Sequence, residues 1–124
     1  MKTDHSFVTG RLKSFKYAFA GAYKLVSTEH SIMVQTVLGI FMTAAGFYFN
    51  ISKSDWVFQT FSIGLVLSIE GMNTAVEKVA DFIHPDYHER IGFIKDIAAG
   101  AVFFAASTAM IVGAIIYYPI ISKL

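Results

Sequence analysis

Polar residues are scarce along this chain, and their placement divides it into four segments. Three stretches are apolar for long enough to cross a bilayer as helices, at about 32–49, 57–83 and 97–121, each near or above the ~20 residues that a span needs. The middle stretch is not uniform. It is apolar over 57–69 and then carries Glu70, Asn73, Glu77 and Asp81, spaced by three, four and four residues. A helix turns by about 100° per residue, so these four side chains share one narrow stripe. The pattern predicts a helix that leaves the bilayer core near Glu70 and continues as an amphipathic rod to about residue 83. Gly64 and Gly71 within it suit close helix packing in lipid.

Ahead of these spans, residues 7–28 alternate differently. Phe7, Val8, Leu12, Phe15, Phe19, Tyr23 and Val26 recur at helical spacing, with Arg11, Lys13, Lys16 and Lys24 between them. A basic amphipathic helix of this kind lies in the membrane interface. Orientation follows from the cations. Lys2, Arg11, Lys13, Lys16 and Lys24 precede the first span, and Lys78, Arg90 and Lys95 surround the second connection, against only Lys53 and Lys123 on the other side. The positive-inside rule therefore places the N-terminal segment and the second connection in the cytoplasm, with Trp56, Tyr117 and Tyr118 as an aromatic belt at the outer interface.

Composition agrees with a membrane protein. Of 124 residues, 55% are hydrophobic and 15% charged, far from the usual soluble mixture, and the length suits a single domain over 1–124. The absence of cysteine removes disulfides, thiolate metal sites and thiol nucleophiles. A formal net charge of +1 offers nothing to a nucleic acid. Residues 1–6 lack the apolar core of a signal peptide, so the N-terminus is expected to be retained.

The predicted topology collects ionisable groups at one boundary. Glu29 enters the first span, Glu70 and Glu77 leave the second, and Lys95 and Asp96 enter the third. Carboxylates are costly in a bilayer, so such a cluster points to chemistry or transport. Three readings remain open on the spacing. Carboxylates can hold Mg²⁺ together with phosphate oxygens and water, cations can hold phosphates, and a further carboxylate can accept the proton of an attacking hydroxyl. That is the equipment of phosphoryl transfer. An ion or proton pathway uses membrane carboxylates as well, and a polar seam that fixes helix register is the plainest alternative. The glycine-rich loops and catalytic-loop motifs of soluble kinases are missing. His5, His30 and His84 show no ligand spacing, and the methionines are dispersed as apolar filling.

The stripe belongs to a longer pattern. Glu70-Gly71-Met72-Asn73-Thr74-Ala75-Val76-Glu77-Lys78-Val79-Ala80-Asp81 resembles the ExxN[ST]AxExxxD signature of the bacterial integral-membrane diacylglycerol kinase and undecaprenol kinase family. Tyr87-His88-Glu89 resembles the family's YH element. Lys95-Asp96-Ile97-Ala98-Ala99-Gly100-Ala101-Val102 is similar to its KDxAAGAV element, and Ser14 to Glu29 to its N-terminal region. Phe93-Ile94 and His30-Ser31 depart from its commoner forms. The resemblance implies an all-α membrane fold, with one interfacial helix and three transmembrane helices, assembled as a homotrimer whose sites combine residues of adjacent subunits. It implies transfer of the γ-phosphate of ATP, with Mg²⁺, to a membrane lipid alcohol on the cytoplasmic side of the bacterial inner membrane. By the same resemblance Glu70 is the general base and contacts the lipid, and Asn73 supports it. Glu29 and Glu77 hold Mg²⁺ and contact ATP, as do Arg11, Tyr17, Asp86, Tyr87, His88, Lys95 and Asp96, while Ala99 lies against the lipid substrate. The signature is closer to the undecaprenol branch than to the diacylglycerol branch.

Overall fold

Four helices account for nearly all of the chain in the computed structural model, which describes residues 4–124: α1 (Asp4–Thr28), α2 (His30–Phe49), α3 (Lys53–Ile83) and α4 (Glu89–Ile121). Met1, Lys2 and Thr3, which enter the expectations about orientation and the retained N-terminus, lie outside the described residues. Each expected segment is a helix, and no strand occurs among the described residues. The boundaries differ in one direction. α3 begins at Lys53 rather than 57 and α4 at Glu89 rather than 97, because an apolar window marks the part of a helix suited to lipid whereas caps mark its ends. Ser52 caps α3 by accepting from the Asp55 backbone N–H at 3.1 Å, and the His88 ring caps α4 by accepting from Arg90 N–H at 3.0 Å. Lys95 and Asp96 therefore sit inside α4, nearly two turns from its start.

The joint between α1 and α2 is a single residue. Glu29 adopts an extended conformation, φ −103° and ψ 116°, and serves as the N-cap position of α2. Just before it, the Ser27 and Thr28 hydroxyls donate back to the Tyr23 and Lys24 carbonyls, the side-chain competition that weakens a helix end. The α2–α3 turn is equally short. Asn50 closes α2 in the left-handed region at φ 51°, and its N–H returns to the Gly46 and Phe47 carbonyls.

Helix α4 packs chiefly on α3, α2 on α3, and α1 on α2. The apolar core lies at the end of the bundle marked by the α2–α3 turn, where Ile51, Ile116 and Tyr117 are buried among Met42, Ala45, Phe49, Trp56, Val112 and Ile120. One expectation is corrected here. Tyr117 does not belong to an interfacial aromatic belt with Tyr118, because it is 7% exposed and points into this core, whereas Tyr118 is exposed. Trp56 packs against Phe47 with ring centroids 4.7 Å apart. Gly64, expected at a close helix contact, has open space where a Cβ would stand, whereas Gly71 faces Leu25 of α1 at 3.2 Å.

Length separates the roles of the helices. By length and composition α2 and α4 can each cross a membrane. α3 has 31 residues, about 46 Å at 1.5 Å per residue, some 16 Å more than a ~30 Å hydrocarbon core. That excess is about eleven residues, the length of the charged portion from Asn73 to its end. A Cβ at position 46 would come within 2.7 Å of the Trp56 ring and 3.1 Å of Ile51. We expect Gly46→Ala to lower stability by about 1–3 kcal/mol through overpacking, read as a reduced unfolding midpoint in detergent. An unchanged midpoint would show that the Trp56 ring can yield.

Candidate active site

The stripe expected from the sequence is only partly buried. Along α3 the buried residues are Gln59, Ser62, Val66, Glu70, Thr74 and Ala80, so a buried polar line runs from Gln59 to Thr74, while Asn73 is half-buried and Glu77 and Asp81 are exposed. Glu70 lies at its centre and is 8% exposed. Its backbone carbonyl accepts from the Thr74 hydroxyl at 3.1 Å, but no hydrogen bond or ion pair occupies its carboxylate among the described residues. The carboxylate is therefore free to accept a donor.

One turn farther on, Asn73 Nδ2 donates to Glu77 Oε1 at 3.2 Å. The other end of that amide, Asn73 Oδ1, is buried without a hydrogen-bond partner. Buried acceptors are rarely left unmet, so this oxygen is free to take a donor or cation. Glu29 is brought from the α1–α2 joint to the same part of α3, where Lys78 Nζ lies 3.4 Å from its Oε1. Lys78 is therefore a residue of α3 that ties down the joint, not part of a loop. No group of three or more His, Asp or Glu side chains capable of holding a metal occurs among the described residues. The donors present are two separate carboxylates, Glu29 and Glu77, and the unmet Asn73 oxygen. That set fits Mg²⁺, which usually takes one or two carboxylates and completes its shell with phosphate oxygens and water.

The remaining candidates are distributed around this centre. Lys95 of α4 pairs with Asp81 of α3 at 2.6 Å, so Asp81 joins helices. In the loop, His84 Nδ1 donates to the Asp86 carbonyl at 2.7 Å, and the His84 and His88 rings meet edge to face at 5.3 Å. His88 is occupied in capping α4, while Tyr87 is 86% exposed. Asp96 and Ala99 are exposed on α4. Arg11 and Tyr17 are exposed on α1, and Arg11 stacks over Phe7 at 5.7 Å. They precede Glu29 by eighteen and twelve residues, about 27 and 18 Å along the helix, so the chain does not itself gather them beside Glu70.

Three contacts escaped the sequence reading. Gln59 Nε2 donates to the Met42 carbonyl at 2.9 Å, and its Oε1 accepts from the Tyr117 hydroxyl. Gln59 could have been found as the residue eleven positions before Glu70, which returns a helix to nearly the same face. The Glu29–Lys78 pair left no sequence signal, since it depends on how the α1–α2 joint bends.

Geometry of this kind defines a helical membrane protein with a carboxylate-lined site at one end of its bundle, and comparison with known proteins sets its class. Residues 16–117 match the family model described as prokaryotic diacylglycerol kinase. The chain belongs to this family of lipid kinases. It is 34% identical over 109 residues to the diacylglycerol kinase of Synechocystis, covering 87% of this chain and 62% of that protein. It is 32% identical over 117 residues to the undecaprenol kinase of Bacillus subtilis, covering 94% and 95%. The diacylglycerol kinase of Haemophilus influenzae is 29% identical over 112 residues, covering 90% and 95%.

The Lys95–Asp81 pair permits a direct check. Both side chains are more than a third exposed, so solvent screens them. A double-mutant cycle of Lys95→Met and Asp81→Asn on unfolding stability is expected to give a coupling below about 1 kcal/mol. A larger coupling would mean that the pair is shielded in the assembled protein.

Proposed function

We propose that the whole chain is a single lipid-kinase domain that moves the γ-phosphate of ATP, with Mg²⁺, to the hydroxyl of a membrane lipid alcohol. The observation that carries this reading is Glu70, 8% exposed with its carboxylate free of any hydrogen bond among the described residues, on the same stripe as Asn73 and Glu77. In this reaction Glu70 accepts the proton of the lipid hydroxyl as its oxygen attacks the γ-phosphorus. Glu29 and Glu77, with Asn73 Oδ1 nearby, hold Mg²⁺, which when bound offsets charge on the phosphates. Lys95 and Asp96, with the Asp86–His88 turn, lie at the end of the bundle from which a nucleotide would approach. Ala99 on α4 gives the lipid a smooth neighbour.

Three spans, α2, α3 and α4, suit this reading, with α1 in the interface and the carboxylate end in the cytoplasm of a bacterial inner membrane. A homotrimer would supply Arg11 and Tyr17 to the site of an adjacent subunit, which their distance from Glu29 within one chain favours. It would also shield polar groups that one chain leaves open to lipid. Between acceptors, undecaprenol is preferred over diacylglycerol, in line with the signature and with the Bacillus subtilis undecaprenol kinase that matches nearly end to end. Both lipids present one primary hydroxyl, and apolar pockets separate hydrocarbon bodies weakly, so overlap between them is expected. An ion or proton pathway is the second reading, favoured by the same membrane carboxylates.

Purified protein with labelled ATP and each lipid in mixed micelles tests the reaction. Glu70→Gln is expected to lose about two to four decades of turnover, the usual range for general-base catalysis. Full activity in that variant would remove the role, and no lipid product with either lipid would favour ion movement, measured in sealed vesicles without ATP. Glu29→Gln and Glu77→Gln are each expected to shift the Mg²⁺ titration more than the lipid KM, and unaltered titrations would exclude them as ligands. Mixing Glu70→Gln and Glu77→Gln proteins should give more activity than either variant alone if sites are shared between subunits. In direct competition, a higher kcat/KM for diacylglycerol would reverse the preferred acceptor.

A further inference from the structure

Two side-chain contacts pin α3 to α4, and they stand at matching distances. Gln59 meets Tyr117 near the turn end, and Asp81 meets Lys95 near the loop end. Gln59 and Asp81 are 22 residues apart on α3, as are Tyr117 and Lys95 on α4. Two antiparallel helices rising equally per residue can satisfy both contacts only in one register. Glu70 falls midway, eleven residues from each pinned residue of α3, and eleven residues is three turns to within about 20°. That register sets Glu70 opposite position 106. An alanine stands there beside the buried Ala105, so the facing positions of α4 are small.

The two pins are unlike. Lys95 and Asp81 are each more than a third exposed, and such pairs hold weakly. Gln59 is 5% exposed, and both ends of its amide are used, on the Met42 carbonyl of α2 and the Tyr117 hydroxyl of α4. Breaking this contact would leave a buried polar group unmet, which costs more than the bond itself contributes. Gln59 and Met42 also line the turn end of a cleft of about 370 Å³ between α2, α3 and α4, which continues past Ser62, Val66 and Ala106 and reaches to one turn from Glu70. A cleft on that side means that packing alone leaves α3 room to rotate.

We infer that Gln59 and Tyr117 are positioning residues for Glu70: their buried contact, about 16 Å from the carboxylate along α3, fixes the rotation and register at which Glu70 faces α4. They touch neither substrate nor nucleotide and act only through the helix. This rests on the proposed role of Glu70. A loss of about 1 Å in placement can cost as much as 10²-fold in rate, so the effect belongs in kcat and not in binding.

The test combines kinetics with a register assay that needs no activity. Tyr117→Phe removes one hydroxyl and leaves the Gln59 oxygen unmet. The Gln59→Leu/Tyr117→Phe pair removes both partners, so no buried group is orphaned and thermal stability should return toward the parent. With either acceptor lipid and ATP, kcat is expected to fall about tenfold in both variants while both KM values stay within about twofold. Tyr118→Phe, at an exposed neighbour, should match the parent. In the Glu70→Gln background the Tyr117→Phe loss should largely disappear. Recovery of kcat in the double variant together with its stability would assign the pair to folding alone and overturn the proposal. Because the chain has no cysteine, register is read separately by disulfide trapping of Val66→Cys paired in turn with Ala105→Cys, Ala109→Cys and Val112→Cys. The parent is expected to favour the 109 partner, and the double variant to lose that preference. An unchanged preference would overturn the proposal even if neither lipid is a substrate, whereas the kinase reading fails only on the absence of lipid product.

Discussion

A helix that carries buried amide, hydroxyl and carboxylate groups has one acceptable rotation, with that face against protein. This constraint governs the molecule. On α3 the polar residues Gln59, Ser62, Glu70 and Thr74 all lie on the buried side, and an unmet polar group in lipid costs several kcal/mol. The rotation of α3 therefore fixes where α4 must lie, since α4 supplies the cover. It also fixes where Glu29 arrives, because Lys78 on the same helix receives it. The site is a consequence of burying the stripe, not an addition to a finished bundle.

The rest of the chain contributes little enclosed core. Buried apolar residues are few, and large side chains such as Phe41, Phe104 and Ile115 are exposed on α2 and α4, the helices long and apolar enough to cross a membrane. In water that surface would be an aggregation hazard. In a bilayer, lipid tails solvate it about as well as other side chains do, and the bundle coheres through close packing and interhelical hydrogen bonds. Polar contacts such as Gln59–Met42 and Lys95–Asp81 thus count for more in ordering these helices than their number suggests. They are among the few contacts that lipid cannot replace.

Much of this arrangement was legible in the sequence, and what was missed has a physical pattern. The helices, the stripe and its burial at Glu70 follow from spacing, because a period of 3.6 residues acts locally and α3 is regular throughout. The helix starts at Lys53 and Glu89 were placed too late because hydropathy reports where lipid begins and not where Ser52 and His88 cap. Tyr117 was misplaced for a similar reason. An aromatic near the end of a span suits an interfacial belt, and only the position of Gln59 on another helix turns it inward. The Glu29–Lys78 pair joins residues 49 positions apart across a bent joint, which no single periodicity encodes. The gathering of Arg11 and Tyr17 to the site was implied by family resemblance alone, and within one chain α1 leaves both on its exposed face.

The order of polar groups along α3 also carries an argument. Along its buried face and the stripe, from the turn end, they run amide, hydroxyl, carboxylate, then amide, hydroxyl, carboxylate and carboxylate at Gln59, Ser62, Glu70, Asn73, Thr74, Glu77 and Asp81. Neutral groups occupy the deeper part of the predicted span, where a charge is most costly, and charge accumulates toward the predicted surface, where water screens it. Glu70 is the first carboxylate reached on leaving the apolar stretch and the last with apolar sequence behind it. A lipid alcohol has the same polarity profile, a hydrocarbon body with its hydroxyl at the boundary. In the proposed reaction the base therefore stands at the depth where the acceptor hydroxyl rests, and the phosphate-facing groups stand one and two turns farther toward water. Neither substrate has to leave the phase in which it is stable, so the helix separates the two binding tasks by depth alone and the chemistry falls at the one level they share.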